Sequence, residues 1–187
     1  MVINYSEIDD IKKYKLMSQT ITPRPIAWIV TLHDGVVNIA PFSYFAPLSS
    51  NPPIVVVSIG HKDDDTQKDT RVNILHTKKA TICFAKIDDM EKLLLSSNEL
   101  SKNISEALEY DIETTLVLNE YPPIISDTVT ALFCDFHSYI DIGGETLPML
   151  LEIKHQYTKD GQCDERLNLK IDNLARIGKG FAKSEAL

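Results

Sequence analysis

Ile54-Val55-Val56-Val57-Ser58-Ile59 is a six-residue run with five β-branched apolar side chains, and Asn51-Pro52-Pro53 interrupts the chain just before it. Such side chains are stiff at χ1 and pack well on a pleated surface, so the run reads as a strand. A strand needs neighbours, and the chain supplies them. Pro25 to Leu32 is a strand ending at the turn His33-Asp34-Gly35, with Val36 to Ala40 as its hairpin partner. Ala80 to Ala85, Thr114 to Leu118, Ala131 to Ile140 and Leu147 to Tyr157 are further strand candidates, the last one a possible pair.

Helical patterns are fewer. Asp69 to Thr77 reads as a short helix, N-capped by Asp69 or Thr70, with Val72, Leu75 and Ile74 facing inward. Asp88 to Ser97 is a second, with Met90, Leu93 and Leu94 on one face, and Ser101 to Tyr110 continues helically. Phe42 to Ser50 is mixed and reads as a short helical turn. Asn173 to Ala182 is a short apolar and basic tail. Helices do not alternate with strands, which excludes a doubly wound sheet. The fold class expected is α+β, mainly β: a barrel or sandwich with short peripheral helices.

The 187 residues suit one domain, 1–187, with 43% hydrophobic and 25% charged residues placing it among globular proteins. A net charge of −8 argues against nucleic acid or an anionic membrane as partner. An anionic ligand would then need local cations and backbone amides. No apolar run could span a bilayer, and the first residues lack the basic start and apolar core of a signal peptide. Cys83, Cys134 and Cys163 are odd in number and scattered, which fits neither a disulfide framework nor a zinc site. The expected location is the cytoplasm. No Gly-x-Gly-x-x-Gly, P-loop, Gly-x-Ser-x-Gly or His-Glu-x-x-His occurs, so dinucleotide-fold, hydrolase and zinc-protease chemistry have no foothold.

Three segments carry candidate chemistry. In Thr22-Pro23-Arg24-Pro25 two prolines fix the backbone around one arginine. That suits anion capture, and equally a rigid strand start with a solvated side chain. In Asn38-Ile39-Ala40-Pro41-Phe42-Ser43 a strand breaks at a proline, freeing backbone groups that a flat heteroaromatic ring could use. A kinked barrel corner with aromatic core residues has the same composition. Lys68-Asp69-Thr70-Arg71 places two cations and a hydroxyl at a helix start, where unpaired amides favour phosphate. A plain capped surface helix fits those residues too.

In this order, Ile21-Thr22-Pro23-Arg24-Pro25-Ile26-Ala27-Trp28, Gly35 to Ser43, Ser50-Asn51-Pro52-Pro53 and Lys68-Asp69-Thr70 resemble the flavin-reductase-like, flavoredoxin-type family. Leu174-Ala175-Arg176-Ile177-Gly178 matches it weakly. The resemblance implies a split β-barrel homodimer with FMN near the subunit interface. It implies Asn38, Ile39, Ala40, Pro41, Phe42 and Ser43 around the ring, through amides of residues 40–43, and Lys68, Asp69 and Thr70 at the phosphate. Ser58 and Gly60 would line the site, and Arg24 would be a further phosphate contact. Two departures stand out: Ile177-Gly178-Lys179-Gly180-Phe181 has a lysine for a family glycine, and Glu145-Thr146 stands where a histidine is common. Both fall on the second-substrate side.

The activity implied is electron transfer from NAD(P)H through FMN to flavin or another acceptor, with no side-chain acid or base and no metal. The first alternative is an FMN-binding carrier reduced by a redox protein. The second is a β-barrel interaction module without cofactor.

Overall fold

The structure, a computed structural model, describes residues 1–183. Helix α1 (Asp10–Thr20) follows a 3-10 turn and is capped by Asp9, whose carboxylate accepts the Lys12 N–H at 2.8 Å. Then come β1 (Arg24–Pro25), β2 (Ala27–His33), β3 (Val36–Phe42), β4 (Phe45–Ser50), β5 (Pro53–Ile59), α2 (Asp69–Thr77) and β6 (Lys79–Cys83). Helices α3 (Met90–Leu95) and α4 (Glu106–Glu109) precede a small pair, β7 (Thr114–Thr115) and β8 (Ile124–Ile125). Strands β9 (Thr130–Tyr139), β10 (Leu147–Thr158), β11 (Leu174–Ile177) and β12 (Gly180–Lys183) complete the described chain.

Seven strands form one antiparallel sheet in the order β3-β2-β6-β9-β10-β5-β4. Its two edge strands, β3 and β4, are consecutive in the chain and joined by Ser43 and Tyr44 alone. Three Cα steps reach at most about 11 Å. The sheet must therefore curl until its edges meet at that corner, which closes a barrel there. Tyr44 O accepts the Ser58 N–H at 2.9 Å, so the β5 ladder runs onto the corner. The edges do not pair beyond it. The result is a split β-barrel, as the resemblance implies.

Alternation along β2 feeds two cores. Ala27 and Ile29 point into the barrel with Val55, Val57, Ile59, Ile82, Met149 and Leu151. Trp28 and Val30 point outward and pack with Ile39, Leu93, Ile112, Tyr121 and Phe133 under the short helices. Trp28 Nε1 donates to Ser96 Oγ at 2.9 Å, which pins the end of α3 against the barrel. That bond sets one wall of the site described next.

Several sequence expectations need correction. Phe42 to Ser50 is not a helical turn but the end of β3, the corner and β4. Prolines are tolerated on an edge strand, and β4 carries Pro47. Leu147 to Tyr157 is one bulged strand, and Thr114 to Leu118 shrinks to two paired residues. The helix at 88–97 splits into a 3-10 turn at Ile87–Asp89 and α3, with Leu93 buried and Met90 and Leu94 exposed. Ser101 to Tyr110 is helical only over α4. Cys83 and Cys134 are buried as expected, and burial pushes both thiols up to about 12.

Candidate functional site

Helix α2 has the expected bounds, and of the expected inward face Ile74 is buried in the barrel core and Leu75 packs against it, while Val72 does not. Thr70, Asn73 and Ile74 are buried, whereas Val72 is 41% exposed. The wall opposite explains this, because it presents Thr31 and Asn38. Asn38 Nδ2 donates to Thr70 Oγ1 at 2.9 Å and to Thr31 Oγ1 at 3.2 Å, and Asn73 Nδ2 donates to Thr31 Oγ1 at 3.0 Å. Buried polar groups need partners, so a polar helix face is selected here over an apolar one.

Lys68, rather than Asp69 or Thr70, is the N-cap of α2, and its side chain makes no capping bond. Arg71 N–H already donates to the Lys68 carbonyl at 2.9 Å, so the Asp69 and Thr70 amides are the ones left for an external acceptor. Asp69 instead holds Lys62 at 2.7 Å, and Lys68 is held by Glu99 at 3.1 Å. Thr70 Oγ1 already accepts from Asn38, so its own proton remains to donate. Lys62, Lys68, Asp69, Thr70, Asn38 and Glu106 border one hollow of about 40 Å³. Arg71 turns elsewhere, its Nη1 donating to Glu145 O at 3.2 Å beside His61.

The β3 edge leads from this hollow to a second. Ile39 N–H donates to Glu106 Oε2 at 2.9 Å, and Val37 O accepts Ser105 Oγ at 2.6 Å, so odd-numbered residues face away from β2. Asn38, Ala40 and Phe42 then point their amides at β2, and Pro41 has none. Of the amides at 40–43 expected to meet a ring, only that of Ser43, past the strand, lies outside the ladder. The carbonyls of Ile39 and Pro41 complete the outward set. Burial pushes the Glu106 carboxyl above the usual carboxylate range, against the bond from Ile39.

The second hollow, about 170 Å³, is bordered by Tyr14, Pro41, Ser43, Ser97, Arg176 and Phe181 among others. Ser97 also borders the first hollow, so the two are neighbours along β3. The Arg176 guanidinium lies 4.6 Å from the centre of the Phe181 ring. An end with two lysines, each paired with a carboxylate, a hydroxyl and two helix amides, then a strand edge with alternating carbonyls and one amide, fits a phosphate-bearing heteroaromatic cofactor.

Other predicted residues are placed differently. Ile39 and Phe42 side chains are core, so they can serve a ligand only through backbone. Ser58 and Arg24 line a separate hollow on the far side of Ser43. Arg24 is not solvated but 6% exposed. Gly60 borders neither of the two β3 hollows, and a Cβ there would sit 3.7 Å from Thr146 Oγ1, an ordinary contact. The sequence reading missed Lys62, Glu99 and Glu106. They reach the first hollow from loops and a short helix that carry no local pattern.

The model of the flavin reductase like domain matches residues 17–176, and the chain belongs to that family. An uncharacterized protein of Aquifex aeolicus is 30% identical over 180 residues, covering 92% of this chain and 88% of its own. The structure of 2-nitrobenzoate 2-nitroreductase from Pseudomonas fluorescens aligns with a TM-score of 0.90 at 25% identity, over 100% of this chain and 93% of that one. A candidate flavin reductase with a split barrel domain from Shewanella frigidimarina aligns at 0.85 and 16% identity, over 100% and 96%, and shares the fold.

Proposed function

We propose that residues 1–187 form one FMN-binding domain of an oxidoreductase that passes electrons from NAD(P)H to flavin or another acceptor. The observation that carries this is the pair of neighbouring hollows along β3, one at the α2 start with Lys62, Lys68 and Thr70, the other beyond Pro41 with Tyr14 and Phe181. Family membership and the nitroreductase likeness support the redox class. When bound, the flavin ring supplies the hydride-accepting chemistry.

The chain's residues bind and orient. Lys62, Lys68, Thr70 and the first α2 amides hold the phosphate, which selects FMN over riboflavin. The carbonyls of Ile39 and Pro41 and the Ser43 amide address the polar edge of the ring. No side-chain acid or base is assigned, and no group of metal-ligating residues occurs among the described residues.

A second copy of the chain completes the site in this reading. Hollows of about 170 and 40 Å³ fall short of the roughly 300 Å³ at which small-molecule pockets begin, so another surface must cover the ring. Among the described residues no helix is long and apolar enough to cross a membrane. The free thiols of Cys83, Cys134 and Cys163 suit a reducing cytoplasm.

The test is an anaerobic absorption spectrum of the FMN-loaded protein before and after NADH or NADPH. Bleaching of the flavin band is expected. A stable flavin band with both nucleotides would assign a carrier reduced by a protein partner, and failure to retain FMN would contradict the reading.

A further inference from the structure

Glu106 is the first residue of α4 and only 6% exposed, and a carboxylate this deep is normally paired. Neither lysine of the α2-start hollow pairs with it, since Lys62 holds Asp69 and Lys68 holds Glu99. Its Oε2 accepts the Ile39 N–H at 2.9 Å, and Ser105 Oγ donates to Val37 O at 2.6 Å, so α4 is fixed to the β3 edge at two points. Its own backbone N–H lies by the carboxyl and favours the charged form. Oε1 accepts from no other described residue, and it keeps accessible surface. A buried carboxyl oxygen short of donors is costly, so a donor from outside the described residues is called for.

Glu106 borders the hollow at the α2 start. It is bonded to Ile39, which stands between Asn38 at that hollow and Pro41 at the second. A ligand with its phosphate at α2 and its ring beyond Pro41 must pass its linking chain by this carboxyl. The phosphate itself is a poor partner, because as a dianion it has acceptors only and repels a carboxylate. Burial also pushes the carboxyl above its usual range. A hydroxyl suits either state, donating to the carboxylate and accepting from the protonated acid.

We propose that Glu106 is a specificity-determining residue, its Oε1 bonded to a hydroxyl of the polyol chain between the flavin ring and the phosphate. This rests on the flavin reading and gives a reason for that chain to be a polyol. A site that holds a hydroxyl in this way rejects a ligand without it, because the buried oxygen is then left unpaired.

Fluorescence titrations of the full chain with FMN, riboflavin and a flavin phosphate whose linking chain is an unsubstituted alkyl of equal length test it. The native chain is expected to bind FMN at least about tenfold tighter than the alkyl analogue. Glu106→Ala is expected to bring that preference within about threefold while the preference for FMN over riboflavin stays. A purely structural loss weakens FMN and the analogue alike and leaves their ratio unmoved. Because Glu106→Ala also frees the Ile39 N–H, Glu106→Gln serves as the second variant: it spares that bond and is expected to cut the hydroxyl preference at least about threefold. A preference unchanged in both variants, or loss of the discrimination against riboflavin in place of that against the analogue, would overturn the proposal. Equal binding of FMN and the analogue by the native chain would overturn it and leave the flavin reading standing; binding of neither would remove both.

Discussion

The side-chain amide of Asn38 on β3 donates to the hydroxyl of Thr70 on α2 at 2.9 Å, inside a cluster that also holds Thr31 and Asn73. One buried bond thereby links the strand proposed to address the ring to the helix start proposed to address the phosphate. Asn38→Ala leaves Thr70 without its donor and opens space against Thr31. The expected loss of stability is about 2 kcal/mol, read from urea denaturation midpoints at constant slope. A change under about 0.5 kcal/mol would mean the cluster is not cooperative.

Ser43 and Lys68 should separate by mechanism. In the proposed site Ser43 meets the ring through its backbone amide, so Ser43→Ala is expected to change FMN affinity by under about 1 kcal/mol. Lys68→Ala removes a charged partner in a chain of net charge −8 and should cost about 2 kcal/mol, narrowing as salt rises. Fluorescence titrations of both variants at low and high salt measure this. A larger penalty for Ser43→Ala would reverse the assignment of ring and phosphate.

Glu99 competes with phosphate for Lys68. Their pair, at 3.1 Å with both side chains about one-third exposed, is weak, so opening it costs little. Glu99→Gln is expected to tighten FMN binding by about three- to tenfold at low salt and leave riboflavin unchanged. Equal tightening of both ligands would place Glu99 outside the phosphate end.

Glu106 sets a pH dependence. Burial raises its folded pKa above the ordinary glutamate value, so between those two pH values the folded state binds more protons than the unfolded one. Stability from this group is full below the ordinary value and is lost as pH rises through the folded one. Glu106→Gln keeps an acceptor for Ile39 N–H but cannot titrate. Its melting temperature relative to the native chain should therefore improve as pH rises across that window. A constant offset at every pH would remove Glu106 as the titrating group.

What the sequence made legible follows from range. The β5 run and the β2–β3 hairpin were readable because β-branched runs and a Gly turn act locally, and the bounds of α2 came from its pattern alone. Ile74 and Leu75 on the inward face of α2 were readable, but its polar part was not, since the choice of Thr70 and Asn73 over Val72 depends on Thr31 and Asn38, which are distant in the chain. Helix α1 was missed because its apolar residues Ile11, Tyr14 and Met17 stay exposed, so burial gives it no signature. Of the proposed site, Asn38, Pro41, Ser43, Lys68 and Thr70 were named from motif and helix start. Lys62 and Glu99 were not, because each enters from a loop, and Glu99 reaches Lys68 from 31 residues away.

The account stands most directly on phosphate recognition at the α2 start. Parallel fluorescence titrations with FMN and riboflavin, in the native chain and in Lys68→Ala, measure it. The expected result is an FMN preference of about 2–4 kcal/mol in the native chain, reduced by about half in Lys68→Ala. Equal affinity for FMN and riboflavin in the native chain would contradict it.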